Sequence, residues 1–349
     1  MEQLLKFILG DNVLVYVLYC APPLVFILLY ALVTLYMEMK VAAHIQDRVA
    51  YMRTGWHGVL QPFADILKLI QKEDIIPTQA DRALFILAPF LVFIGTYAGF
   101  AAVPFSPDYI GSNINLGVFY IVAASSIVVI GLLMSGWASN NKWSLLGAMR
   151  SAAQLVSYEI PTALTIVVVV MITGSLNLQE VIKAQEGGFF NWIIFGGAHA
   201  PLWQKIAMTP FTVTAFLILF TASLAEVNRT PFDLPEAESE LVQGFNTEYS
   251  GMKFAVFYLA EYANMFLVSV VAVCLFLGGW QSPFGSAMSG PFWGIFWIVA
   301  KGMFFVFLQV WIRWTLPRLR VDQLMYTSWK VLTPFLFVCI FAVGLILVL

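Results

Sequence analysis

LAEVNRTPFDLPEAESELVQGFNTEYSGMKFAVFYLAEYANM, residues 224–265, decides how the rest of the chain is read. Seven acids fall within it: Glu226, Asp233, Glu236, Glu238, Glu240, Glu248 and Glu261. An apolar run over 211–225 leads in and another over 254–277 leads out. These carboxylates therefore sit at, and just inside, the face of a membrane, where ionisable groups are costly and mark ion or proton paths. An acidic loop between two membrane helices is ordinarily a solvated one. Three features oppose that reading. Glu226 and Glu261 lie at the edge of apolar runs or inside them. Thr230-Pro231 and Leu234-Pro235 restrict the backbone. Phe232, Leu234, Leu241, Val242 and Phe245 alternate with the acids, as in a loop folded back on the protein.

Composition sets the frame. The 349 residues are 60% hydrophobic and only 11% charged, with a mean hydropathy of +0.84, against about 25% charged in soluble domains. The apolar runs are long enough for helices rather than barrel strands. The expected fold is all-α: a polytopic integral membrane protein forming one transmembrane domain over 1–349, with spans near 13–37, 83–103, 116–137, 152–173, 211–225, 254–277, 292–314 and 329–349. The first run is too long, and lacks the basic leader, for a cleavable signal peptide. A net charge of −2 gives no reason to expect a nucleic-acid partner. Cys20, Cys274 and Cys339 are scattered and form no CxxC, and His44, His57 and His199 avoid the deep apolar runs. No iron–sulfur, zinc or membrane-haem site is expected, nor a flavin. Neither GxGxxG nor GxxxxGK[ST] occurs, so no nucleotide site is expected.

Lys and Arg set the expected orientation. Lys40, Arg48, Arg53, Lys68, Lys72 and Arg82 follow span 1, Lys142 and Arg150 follow span 3, Arg229 and Lys253 follow span 5, and Arg313, Arg318, Arg320 and Lys330 surround the loop after span 7. The other side has Lys6, Lys183 and Lys205. Odd-numbered loops are thus expected in the cytoplasm and both termini outside. The first cytoplasmic loop, 38–82, contains GVLQPFADILKLIQKED. Val59, Phe63, Ile66, Leu67 and Ile70 recur there at helical spacing, predicting an amphipathic helix over 58–72, too short and too charged to span. Periodicity fits equally a helix lying on lipid and a lateral wall for an amphiphilic ligand entering from the bilayer. Glu159 lies about eight residues into span 4, roughly 12 Å deep, and Pro161 nearby frees backbone groups that water can satisfy. Glu261 is expected at similar depth, with Lys301 of span 7 as its ion-pair partner.

These stretches resemble one known family. The 224–251 loop is similar to the signature loop of the quinone-site membrane component of respiratory complex I, the H subunit of NADH:quinone oxidoreductase. LQPFADILKLIQKE, GWASNNKWSLLGAMRSAAQLVSYE and RWTLPRLRVDQLMYTSWKVLTP agree in the same order along nearly the whole chain. One stretch departs. Where the family shows ERKxxAxxQxRxGPNRxGPxG, this chain reads EMKVAAHIQDRVAYMRTGWHG. Glu38, Lys40, Gln46, Arg48, Arg53, Gly55 and Gly58 match, whereas Met39, Ala50, Tyr51, Met52 and Trp56 do not, which bears on the quinone entrance or the quinone type.

The resemblance implies an eight-helix subunit with a lateral amphipathic helix and a quinone tunnel leading toward an iron–sulfur cluster in soluble partner subunits. Other membrane subunits would be its neighbours. It implies a proton pathway through Glu159, Glu226, Glu236, Glu238, Glu240 and Glu261, with Glu38 and Glu248 as further family acids, and a quinone site near Arg48, Phe63, Asp65 and Phe232. Ubiquinone or menaquinone is the implied substrate, in a translocase not catalytic alone, in a bacterial cytoplasmic membrane. A related membrane component of a membrane-bound hydrogenase or ferredoxin-linked complex is the alternative within this chemistry. A free-standing secondary transporter is the alternative outside it, and the absence of a repeat between the halves speaks against that.

Overall fold

The computed structural model describes residues 13–197, 200–285, 288 and 290–349, the side chains of 13–20, 238 and 239 excepted. Lys6, His199 and the side chains of Cys20 and Glu238 lie outside the described residues. Ten helices carry the fold: α1 Val13–Ile45, α2 Gln61–Gln71, α3 Arg82–Phe100, α4 Gly117–Ala138, α5 Lys142–Thr173, α6 Leu178–Lys183, α7 Leu202–Glu226, α8 Gly251–Phe276, α9 Pro291–Thr315 and α10 Val321–Val348. All but α2 and α6 contain a stretch long and apolar enough to cross a membrane, eight among the described residues.

Local chemistry sets the helix ends. The Asp81 carboxylate accepts from Ala83 N at 3.2 Å and caps α3, and Asn141 accepts from Trp143 N at 2.9 Å and caps α5. Gly174, at φ 73°, closes α5 in the left-handed conformation. The Asn141 cap moves one expected boundary. α5 starts at Lys142 and runs for 32 residues, so Glu159 lies about 26 Å along it rather than the 12 Å expected. The extra turns are not lipid-facing. They bury Ser144 and Ser151 against the acidic loop, and an apolar-run reading passes over such residues. α7 likewise begins nine residues before the expected 211, and a turn of π-helix at Thr327–Leu332 lies inside α10.

α8 is the central helix. Nearly every residue from Phe257 to Phe276 is buried, and α1, α2, α3, α6, α7 and α9 all pack on it. Between membrane helices, close van der Waals fit replaces the hydrophobic drive. Phe266 thus meets Tyr30 at 4.9 Å and Phe26 at 5.0 Å between ring centroids. The segment over 174–197 folds back with Val181, Ile182 and Ile193 fully buried. On the opposite face, α2 lies beside α1 and α8, shorter than the predicted 58–72. It is tied to the start of α8 by Lys253–Asp74 at 2.9 Å and by Ile75 N donating to Ser250 Oγ at 3.2 Å.

The acidic loop over 227–250 is packed onto this frame, with Phe232, Leu234, Leu241 and Phe245 buried. Its backbone touches α5 where both chains are bare: a Cβ on Gly147 would lie 2.7 Å from Gly244 Cα and 2.9 Å from Phe245 N. Gly147→Val should therefore push the loop off α5 at a cost of about 1–3 kcal/mol. Limited proteolysis in membranes should then show faster cleavage within 227–250 than in the parent protein.

Candidate functional site

The site begins where α7 stops. Asn228 takes the left-handed conformation at φ 53°, Asn228 N donates to Ala225 O at 3.2 Å, and Arg229 N donates to Leu224 O at 3.2 Å. This pairing ends a helix in a Schellman turn, with Asn in the position more often taken by glycine. Gln154 of α5, fully buried, holds the turn by donating to Ala225 O at 2.9 Å and Phe232 O at 2.8 Å. Arg229 is thereby turned away from Glu226 and into the protein.

There it meets two carboxylates from different spans. Arg229 Nη1 lies 2.8 Å from Glu38 Oε1 on α1, and Arg229 Nε lies 2.8 Å from Glu261 Oε1 on α8. Arg313 of α9 pairs with Glu38 as well. Tyr262 donates to Glu38 Oε2 at 2.8 Å, and its ring lies 4.8 Å beneath the Arg229 guanidinium. Arg229 and Glu38 are 2% and 4% exposed. Two cations and two anions make a neutral cluster, the arrangement in which buried charges are tolerated.

Behind the cluster lies a run of small cavities. The first, about 40 Å³, touches Glu236, Glu261, Glu226 and Asn264. A second of about 20 Å³ touches Glu226, Glu159 and Asn264, and a third of about 30 Å³ touches Glu226, Thr162 and Asn264. Each has room for at least one water. Glu226 and Asn264 line all three. Glu226 accepts from Thr162 Oγ1 at 3.0 Å, Glu159 from Ser126 Oγ at 2.6 Å, and Glu236 from Asn246 Nδ2 at 3.0 Å. Burial, and then the charges of Glu261 and Asp233, push the Glu236 carboxyl well above its ordinary value. It keeps a proton where a free carboxyl has lost one.

A larger cavity, about 230 Å³, lies on the lateral side between α1, α2 and α8. Its walls are apolar, with Leu32, Leu35, Ile66 and Leu69 among them, and Asp65, Tyr258 and Tyr262 supply the polar groups. Tyr262 thus faces this cavity while bonding Glu38, and the adjacent Glu261 faces the acid-lined cavities while pairing with Arg229. Two consecutive residues of α8 join the two spaces through one arginine.

The sequence-predicted residues distribute unevenly. Glu38, Glu159, Glu226, Glu236 and Glu261 line the linked cavities or the ion cluster. Glu240 pairs with Arg150 at 2.6 Å on the surface, and Glu248 accepts from Asn141 Nδ2 at 2.6 Å. Asp65 lines the lateral cavity and accepts from Gln61 at 3.0 Å. Phe63 is half exposed on α2, Arg48 lines a cleft with Tyr51 and Arg53, and Phe232 is buried 5.2 Å from the Tyr158 ring.

The expected Glu261–Lys301 pair does not form. Lys301 donates instead to Leu277 O, Gly279 O and Gln281 O, at the other end of α8. Leu277 is sixteen residues beyond Glu261, about 24 Å along the helix. Sequence reading missed Arg229, Arg313, Tyr262, Asn264 and Thr162. In the sequence both arginines count as orientation charges, and Arg229 also as a neighbour of Glu226 three residues on. A signal existed in Tyr262 and Asn264 flanking Glu261 inside an apolar run.

Removing one member of a buried charge cluster leaves its partners uncompensated. Arg229→Ala should destabilise the assembled protein by about 3–5 kcal/mol. Glu240→Ala, which breaks the half-exposed pair with Arg150, should cost less than about 1 kcal/mol. Thermal unfolding of the two variants side by side checks both.

Comparison with known proteins matches the chain to one family. A sequence model described as NADH dehydrogenase matches residues 19–344. The NADH-quinone oxidoreductase H subunit of Chlorobaculum tepidum is 52% identical over 345 residues, covering 96% of this chain and 93% of the relative. That of Chlorobium luteolum is 54% identical over 327 residues, covering 91% and 85%. That of Anaeromyxobacter dehalogenans is 45% identical over 326 residues, covering 88% and 76%.

Proposed function

Because the chain belongs to the NADH dehydrogenase family, with relatives that are H subunits of NADH-quinone oxidoreductase, we propose that it admits quinone from the bilayer and couples its reduction to proton movement through buried carboxylates. The chain is a membrane subunit of that oxidoreductase complex. This sets aside the hydrogenase-type component and the free-standing transporter. The observation that carries the proposal is the adjacency of Glu261 and Tyr262, which face the acid-lined and the lateral cavity respectively and share Arg229.

The lateral cavity suits a quinone. Its walls are apolar, as an isoprenoid-bearing ring requires, and the phenols of Tyr258 and Tyr262 are donors matched to quinone carbonyls. Reduction to quinol takes up two electrons and two protons. The electrons come from an iron–sulfur centre in partner subunits, and this chain's residues handle charge and protons. Charge appearing near Tyr262 acts on Glu38, and through Arg229 on Glu261. A stronger hold of Arg229 on Glu38 loosens its hold on Glu261, which then favours the protonated form. Glu236 and Glu226 border one water-sized cavity and Glu226 and Glu159 another, so a proton can pass from one to the next through Glu226. Glu240 and Glu248 belong to the rim of the loop, Phe63 lies on α2, which walls the lateral cavity, Arg48 lines a separate cleft, and Phe232 packs on Tyr158 of α5. The excess of Lys and Arg on the face of the acidic loop supports a cytoplasmic position for that face, with both termini outside a bacterial cytoplasmic membrane. Soluble iron–sulfur subunits would dock on that face, and further membrane subunits beside the spans.

Two experiments test this reading. Glu226→Gln and Glu159→Gln keep shape and hydrogen bonding but remove titration. Inverted vesicles should acidify far less per quinone reduced, whereas Glu180→Gln, on the opposite face, should behave as the parent. Parental pumping in both variants would mean that the acids are structural. Leu69→Trp fills the lateral cavity. It should lower NADH:quinone activity by about tenfold or more while leaving NADH oxidation by a soluble artificial acceptor unchanged.

A further inference from the structure

The last turn of α8 is completed by side chains from elsewhere. Gln185, fully buried just beyond α6, donates to Cys274 O at 3.0 Å and accepts from Gly278 N at 2.9 Å. Lys301 of α9 supplies the rest. Its ammonium lies 2.7 Å from Leu277 O, 3.0 Å from Gly279 O and 2.8 Å from Gln281 O, which uses all three of its N–H bonds on backbone carbonyls. The Trp192 ring lies alongside, with its centroid 4.3 Å from Nζ. Three carbonyl oxygens and an indole face form a complete cation site. It stands at the C-terminal end of a long helix, where the aligned peptide dipoles favour positive charge.

We propose that Lys301 is a positioning residue, and that the site it fills recognises a primary ammonium. By clamping the far end of α8 to α9, it sets how far α8 projects toward the acidic loop. Glu261, Tyr262 and Asn264 ride on α8 as a rigid body, so their height against Arg229 and Glu226 is set about 24 Å away. Toward its C-terminal end α9 is held by Arg313 on Glu38 of α1, which also accepts from Tyr262 of α8, so α8 and α9 are joined through Glu38 at that level. The role assigned to Lys301 is charge and donor geometry, not proton exchange with Glu261. The cation site does not depend on the function proposed above; only its effect on quinone reduction does.

The test is chemical rescue in the whole complex, purified in detergent so that uncoupling by amines plays no part. Lys301→Ala removes three methylenes and the ammonium, the shape of n-propylammonium. NADH:quinone activity should fall at least about tenfold, the scale of a lost charge-assisted hydrogen bond, with artificial-acceptor activity retained. Added n-propylammonium should restore most of the loss, and tetramethylammonium, which has no N–H donor, should restore none. Lys301→Met keeps the length and fills the space. It should be as impaired as Lys301→Ala and indifferent to the amine, and Lys301→Arg should keep most of the activity. Parental activity in Lys301→Met, no response of Lys301→Ala to n-propylammonium, or equal rescue by tetramethylammonium would each overturn the assignment. Should Lys301→Ala fail to assemble, the contrast between Lys301→Met and Lys301→Arg decides alone. A separate failure of Glu226→Gln to impair pumping would count against the proton pathway and leave the ammonium site standing.

Discussion

A guanidinium in a poorly solvated interior is the constraint on which the site depends. Arg229 cannot lose its proton and cannot reach water, so it must be surrounded by acceptors. Glu38 comes from α1, Glu261 and the Tyr262 ring from α8, and Arg313 from α9 completes the balance of charge. Three spans and the end of a fourth are thereby fixed relative to one another by directional contacts. In a bilayer this matters more than it does in water, because apolar packing between helices gains little over apolar contact with lipid. The turn at Asn228 is the local cause. Had α7 continued for one more turn, Arg229 would have stayed on the same face as Glu226 and paired with it.

Freeing Glu226 from Arg229 has its own consequence. A carboxylate beside an arginine is held ionised, whereas one whose partner is the Thr162 hydroxyl can take either state. Glu226 also borders each of the three small cavities together with Asn264, which places a group able to change charge at their junction. The ion cluster and the acid-lined cavities therefore divide the labour. The first pairs opposite charges, the second has space for water, and Glu261 belongs to both. The lateral cavity meets the first at Tyr262 and the second only through Arg229 and Glu261.

Much of this was legible in the sequence, for identifiable reasons. Long apolar runs give eight spans because the bilayer demands about twenty apolar residues of each. Period-3.6 spacing gives α2, and the alternation of acids with Phe232, Leu234 and Phe245 gives a loop folded on the protein. The acids at 159, 226, 236 and 261 announce themselves as carboxylates where solvation is poor. What stayed hidden is what depends on direction around a helix and on the level reached within the bilayer. Lys301 and Glu261 are each inside apolar runs, and only the antiparallel packing of α8 and α9 shows that they sit at opposite ends. Ser144 and Ser151 are polar residues that an apolar-run reading places outside the span, whereas they line a buried joint between α5 and the loop. Tyr262 carries a polar tip on an aromatic body, and nothing in sequence spacing says that the tip meets Glu38.

Infrared difference spectroscopy of the whole complex, recorded on reducing bound quinone, tests the central claim most directly. The claim is that the reaction alters the charge state of carboxyls lining the small cavities, across Tyr262, Arg229 and Glu261. The account predicts changes in the carboxyl C=O stretching region that diminish in Glu226→Gln and in Glu236→Gln, and that diminish also in Tyr262→Phe, which leaves every carboxyl in place but removes the hydroxyl that bonds Glu38. A difference spectrum unaltered by all three substitutions would contradict it.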